Sequence, residues 1–141
     1  MKLLFWIFSL ITLAGITDPP VVGTLRITVE NVQKSQGKIL LAVYADDDNF
    51  LSEVTYRSVH QEVNQTGVVT VEVSDLPYGD YAVSLYHDEN DNGKIDTNFM
   101  KIPKEPYGFS NNARGTFGPP KFRDAQFSFV KTEQEIRIEI K

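Results

Sequence analysis

The stretch Val69-Thr70-Val71-Glu72-Val73-Ser74-Asp75-Leu76-Pro77-Tyr78-Gly79-Asp80-Tyr81-Ala82-Val83-Ser84-Leu85-Tyr86 reads as strand, turn, strand. Val69, Val71 and Val73 alternate with Thr70, Glu72 and Ser74, a period of two that puts one face of a strand in a core and the other in water. Asp75 to Gly79 breaks that pattern with turn chemistry: Pro77 presets its own φ, and Gly79 is suited to a positive one. Tyr81 to Tyr86 is then apolar almost throughout, which suits a central strand, with Tyr81 entering it pointed inward.

The same pattern continues on both sides. Leu25, Ile27 and Val29 alternate with Arg26, Thr28 and Glu30, and Ile136, Ile138 and Ile140 alternate with Arg137, Glu139 and Lys141. Ile39 to Ala45 reads as a second central strand, Phe127 and Phe129 mark another, and Tyr56 to Val63 is weaker and suits an edge. Turn signals at Ser35-Gln36-Gly37 and Asn64 to Gly67 punctuate the series. No segment of helical length carries a 3.6-residue repeat; a short turn of helix is expected only at Asn49 to Arg57. About seven short strands with such punctuation predict an all-β, antiparallel β-sandwich. The Leu76-Pro77-Tyr78-Gly79-Asp80-Tyr81 turn itself resembles the Leu-Pro-x-Gly-x-Tyr turn of transthyretin-like and other immunoglobulin-like sandwiches, which implies that Tyr81 closes a corner of the core.

Composition narrows the function classes. The chain has 141 residues, 14 basic and 19 acidic, and no Cys. Met1 to Ile16 reads as a secretion signal: Lys2 is followed by the apolar run Leu3 to Leu13, then Thr12-Leu13-Ala14 with small side chains at a cleavage position, then Asp18-Pro19-Pro20. That run is too short to span a bilayer, which takes ~20 apolar residues. The expected organisation is therefore a leader over 1–17 and one β-sandwich domain over 18–141, secreted or periplasmic, with no membrane span after cleavage. Without the leader the balance is 13 basic to 19 acidic residues, net −6. This sign argues against nucleic acid, and the lack of Cys argues against a disulfide scaffold, lipid acylation and thiol chemistry.

The second half changes character. From Asp88 to Asp124 no strand pattern stands out, while Gly, Pro and Asn are dense. A loop this long in a compact domain is usually functional or disordered. Phe99, Ile102, Tyr107, Phe109, Phe117 and Phe122 are the expected apolar anchors of an ordered excursion.

Within it, Asp88-Glu89-Asn90-Asp91-Asn92-Gly93-Lys94-Ile95-Asp96 matches the first nine positions of an EF-hand calcium loop. Oxygen side chains stand at positions 1, 3, 5 and 9, with Gly at position 6 for the sharp turn. A hard cation wanting six to eight oxygens explains that spacing. Asp88, Asn90, Asn92 and Asp96 would ligate Ca²⁺ by side chain and Lys94 by its carbonyl, with Ile95 turned into the core. Position 12 is Phe99 and not the closing Glu, and the preceding segment reads as strand. The remaining oxygens would come from Asn98, from Asp46 or Asp48 in the acidic run Asp46-Asp47-Asp48, or from water. The competing reading is a polar hairpin turn without an ion.

Lys94 to Asp124 holds six basic and three acidic residues, net +3, against −9 for the rest of the chain without its leader. Arg114, with Asn111 and Asn112, could receive an anionic ligand; alternatively Arg114 and its neighbours neutralise the acidic loop internally. Neither His60 nor His87 belongs to a recognisable catalytic motif, so a non-enzymatic reading leads. His87 is expected to orient a neighbouring loop by a hydrogen bond. An envelope small-ligand receptor or hydrolase built on His87, Arg114 and Asn111/Asn112 is the alternative.

His87-Asp88-x-Asn90-x-Asn92-Gly93-Lys94-x-Asp96-Thr97-Asn98, Ile102-Pro103-Lys104-Glu105-x-Tyr107-Gly108-Phe109-Ser110-Asn111-Asn112-Ala113, Phe117-Gly118-Pro119-Pro120 and Asp124-Ala125 together resemble a family of small secreted bacterial proteins known as a conserved domain of unknown function. Pro106 stands where that pattern has Gly. The resemblance implies an exported β-sandwich and assigns no activity. The expected function is an exported binding or interaction module with a calcium-organised loop and a protein or glycan partner in the envelope or outside the cell.

Overall fold

The computed structural model describes residues 18–141; the expected leader lies outside the described residues. Eight strands form two sheets: β1 (Val22–Val32), β2 (Lys38–Tyr44), β3 (Arg57–Glu62), β4 (Gly67–Pro77), β5 (Gly79–Asp88), β6 (Tyr107–Phe109), β7 (Phe127–Phe129) and β8 (Glu133–Glu139). One sheet has the order β4-β1-β8, the other β3-β2-β5-β6, with β7 also paired to β5. The all-β sandwich is as the strand periodicity predicts. Pairing is antiparallel except between β1 and β8, which run parallel from Thr24↔Glu133 to Glu30↔Glu139.

The alternation sets the packing. Leu25, Ile27 and Val29 of β1, Val69, Val71 and Val73 of β4, and Ile138 face Ile39, Leu41 and Val43 of β2 and Tyr81, Val83 and Leu85 of β5 in one cluster. Each such side chain fully withdrawn from water contributes about 1.5–3 kcal/mol. The opposite face of the five-stranded sheet is covered as well. Tyr44 and Ala82 on that face pack with Phe109, Ala113, Phe122 and Ala125, and Phe50 lies against them. This second layer explains why β2 and β5 are apolar without alternation.

The excursion after Asp88 therefore belongs to the fold. It contains β6, a 3-10 turn at Ser110–Asn112 and a short helix, α1 (Phe122–Ala125). Ser110, fully buried, accepts the N–H of Val83 at 2.9 Å and donates to the carbonyl of Ala125. Tyr107, Phe109 and Phe122 anchor this segment, but Phe99, Ile102 and Phe117 are exposed and anchor nothing. The helical turn expected at Asn49 to Arg57 is not formed; the chain makes turns and bends up to Glu53 and enters β3 at Arg57. Among the described residues no helix is long and apolar enough to cross a membrane.

The Asp75 to Gly79 turn differs from the expectation in one respect. The positive φ sits at Asp75 (φ 53°), where β4 carries an extra residue against β1, and not at Gly79. The Tyr81 ring lies over Gly79, and its hydroxyl donates to the carbonyl of Pro77 at 2.9 Å, tying the corner across the turn. Burial, with the Tyr56 hydroxyl as the next cause, pushes the Tyr81 phenol up to about 12. Because the folded value lies above the unfolded one, the stabilisation tied to neutral Tyr81 is complete below pH ~10 and is lost as pH rises toward ~12. Tyr81→Phe should cost ~1 kcal/mol in urea denaturation near neutrality and should flatten the alkaline fall in stability that the wild type shows.

Candidate functional site

Asp88 ends β5 opposite Lys38 of β2 and is fully buried. Its neighbour His87 points to the inner face, where Nε2 meets the carbonyl of Gln36 at 2.7 Å and fixes the β1–β2 turn, the orienting role expected of it. Gly37 in that turn has φ +69°, and a Cβ there would lie 2.0 Å from the Asp88 carbonyl oxygen. Only a glycine lets the two backbones approach so closely.

The Asp88 carboxylate then organises the following residues. Oδ1 accepts the N–H of Asn92 at 3.1 Å and Oδ2 that of Gly93 at 2.8 Å. Gly93 takes φ +77°, as the spacing requires. The other oxygen-bearing side chains meet at Asp96: Asn90 Nδ2 donates to its Oδ2 at 2.6 Å, and Asn92 Nδ2 to both its oxygens at 3.0 and 3.1 Å. Asn92 Oδ1 accepts the N–H of Lys94 at 3.0 Å. Asp88, Asn90, Asn92, Lys94 and Asp96 thus form one hydrogen-bonded loop.

A residue not singled out as a site candidate supports it. Glu105, buried, accepts the N–H of Glu89 at 3.0 Å through Oε1 and the N–H of Asp96 at 2.9 Å through Oε2, bracing the loop at its first turn and at its end. Pro106, next in the chain, offers its carbonyl to the N–H of His87 at 2.8 Å. A lone Glu between Lys104 and Pro106 carries no periodicity that would have marked it.

Other candidates lie elsewhere. Tyr44 pairs with Ala82 and Lys38 with Asp88, so Asp46 and Asp48 follow β2 at the far end of β5, roughly 20 Å from the loop at ~3.3 Å per residue. Asp46 closes its own turn by accepting from Asn49 N and Nδ2, both at 2.9 Å. Asn98 Oδ1 is committed to the N–H groups of Met100 and Ile102 at 2.9 and 3.1 Å. Ile95 is exposed and does not enter the core. Asn111 Nδ2 donates to the Gln126 carbonyl at 2.8 Å, and Asn112 Oδ1 accepts the N–H of Glu139 at 2.8 Å, so both staple the excursion to its neighbours. Of the two histidines, His87 is inside the core and His60 is exposed on edge strand β3.

The electrostatics separate into two parts. Lys34 pairs with Glu89, and Lys38 with Asp91 at 2.9 Å and Glu62 at 3.6 Å; hydrogen bonding to Asp91 is the main cause that raises Lys38 above the usual lysine value. Asp88, Asp96 and Glu105 have no ion-pair partner among the described residues. The Tyr86 phenol feels them: burial first, then the charges of Asp88, Glu105 and Asp96, raise it above the usual tyrosine value. Arg114 enters no ion pair among the described residues. Among the described residues no three His, Cys, Asp or Glu side chains are gathered as a metal group; the loop combines two carboxylates with two amides.

A family model described as an uncharacterized protein conserved in bacteria (DUF2141) matches residues 27–137, which is 111 of the 141 residues. The chain belongs to this family. The matched span runs from β1 into β8 and takes in the whole Asp88 loop and the excursion. Neither a search of curated proteins nor one of solved structures found a match.

Glu105→Ala should destabilise the protein by about 2–4 kcal/mol in urea denaturation, since two N–H groups lose their acceptor. Glu105→Gln, which keeps one acceptor oxygen, should cost clearly less.

Proposed function

We propose that this member of the family is an exported, non-enzymatic binding module whose Asp88 loop is organised by Ca²⁺. The observation that carries the reading is the convergence of Asp88, Asn90, Asn92 and Asp96 in one turn, with the carboxylates of Asp88 and Asp96 in no ion pair among the described residues. The two amide nitrogens now lie against Asp96 where a cation would be attracted. Turning each amide would exchange a donor for an oxygen and release the N–H groups of Asn92 and Lys94 that now bond Asn90 Oδ1 and Asn92 Oδ1, and the carbonyl of Lys94 and water would complete the shell. Glu105 would act from behind, holding the backbone of Asp96 in place. With Phe99 at the closing position, affinity should fall in the extracellular range, 10⁻⁴–10⁻³ M.

Secretion or a periplasmic location, and a protein or glycan partner met there, go with this reading. Millimolar calcium would fill such a site and order the surface offered to the partner.

At calcium ten times the dissociation constant the gain is about 1.4 kcal/mol, so melts with calcium and with chelator should separate by ~5 °C. Asp88→Ala should remove that separation, whatever it does to the baseline. Superimposed wild-type melts together with no heat on calorimetric titration would leave the loop as a polar turn and end the proposal.

A further inference from the structure

Beyond the loop the chain makes a small hairpin. Thr97 and Pro103 form an antiparallel bridge, Asn98 N donates to the Ile102 carbonyl at 2.9 Å, and Lys101 N donates to the Asn98 carbonyl at 3.0 Å. With Asn98 Oδ1 accepting from Met100 and Ile102, the N–H groups of Asn98, Met100, Lys101 and Ile102 are all paired within the hairpin. Its apolar side chains point away from the protein: Phe99 is 95% exposed, Met100 64% and Ile102 52%, with Ile95 beside them at 37%. An apolar group of this kind outside the core marks an interaction surface more often than chance exposure does.

Charge indicates what it meets. Lys94, Lys101 and Lys104 are exposed around the tip and enter no ion pair among the described residues. No acidic residue lies between Thr97 and Lys104. Of the nearby acidic side chains, Glu89 and Asp91 are matched by Lys34 and Lys38, while Asp96 and Glu105, which flank the tip, carry no ion pair among the described residues and accept hydrogen bonds from Asn90, Asn92 and the backbone N–H groups of Glu89 and Asp96. We infer that the Thr97–Pro103 tip docks on an anionic phospholipid surface, with Phe99 and Met100 entering the headgroup layer and the lysines meeting the phosphates. A hairpin tip with four of its N–H groups paired, an exposed apolar end and three exposed lysines nearby in sequence has the physical make-up of an interfacial element. The inference does not rest on calcium, and its test is run in chelator.

The chain has no Cys, so Met100→Cys accepts a single environment-sensitive fluorophore, and Glu53→Cys, beyond the far end of β2, provides the control. Protein expressed from Met1 and purified from the exported fraction is mixed with vesicles of phosphatidylglycerol and phosphatidylethanolamine, or of phosphatidylcholine alone. The label at 100 should brighten and shift to the blue on the anionic vesicles, far less on the neutral ones, while the label at 53 stays unchanged. Phe99→Ser in the labelled chain should weaken binding at least tenfold without moving the melt, and Lys101→Glu or Lys104→Glu should weaken it about fivefold each, the effect shrinking with salt. A label at 100 that stays dark with anionic vesicles, or equal responses at 53 and 100, would overturn the inference and leave the tip to a protein partner.

Discussion

The structure depends on β5 being enclosed on every side. It pairs with β2 along one edge and with β6 and β7 along the other. Its inner side chains fill the space between the sheets, and its outer ones lie under the excursion. A strand buried on both faces must have its backbone groups paired on both edges, because nothing else would satisfy them. That constraint recruits β6 from a segment with no strand pattern of its own. It also puts Ser110 into the second layer, where it serves both Val83 and Ala125.

The polar end of β5 follows from the same enclosure. Asp88 sits where the ladder stops, so its carboxylate is buried yet next to N–H groups that need acceptors. A buried carboxylate is tolerable when it is hydrogen-bonded, and here each oxygen takes one loop N–H. Glu105 does the same for the two ends of the loop. The outcome is a pre-shaped turn that concentrates negative charge and whose inner carboxylates are held by backbone N–H groups and amides.

Charge is therefore sorted along the chain. Among the described residues Lys34 and Lys38 pair with the outer carboxylates of the loop, the inner carboxylates enter no ion pair, and neither do Lys94, Lys101 and Lys104, the exposed lysines before, within and just after the apolar hairpin. Arg114, which follows the 3-10 turn, contributes to neither arrangement. A net count over the whole segment hides this separation, because it adds charges that the register keeps apart.

Local physics was legible in the sequence. Period-two alternation in β1, β4 and β8, the Tyr81 corner, the orienting role of His87 and the Gly93 bend each depend on a residue and its near neighbours. What depended on distant partners was not. The parallel pairing of β1 with β8 joins the two ends of the described chain, and no short window contains both. The remoteness of Asp46 and Asp48 follows from the β2–β5 register, and the buried role of Glu105 from the path of a loop that returns to Asp88. The exposure of Ile95, Phe99 and Phe117 runs against the sequence expectation for the same reason. Apolar character says that a side chain gains by leaving water, but only the assembled sheets decide whether there is a place inside for it to go.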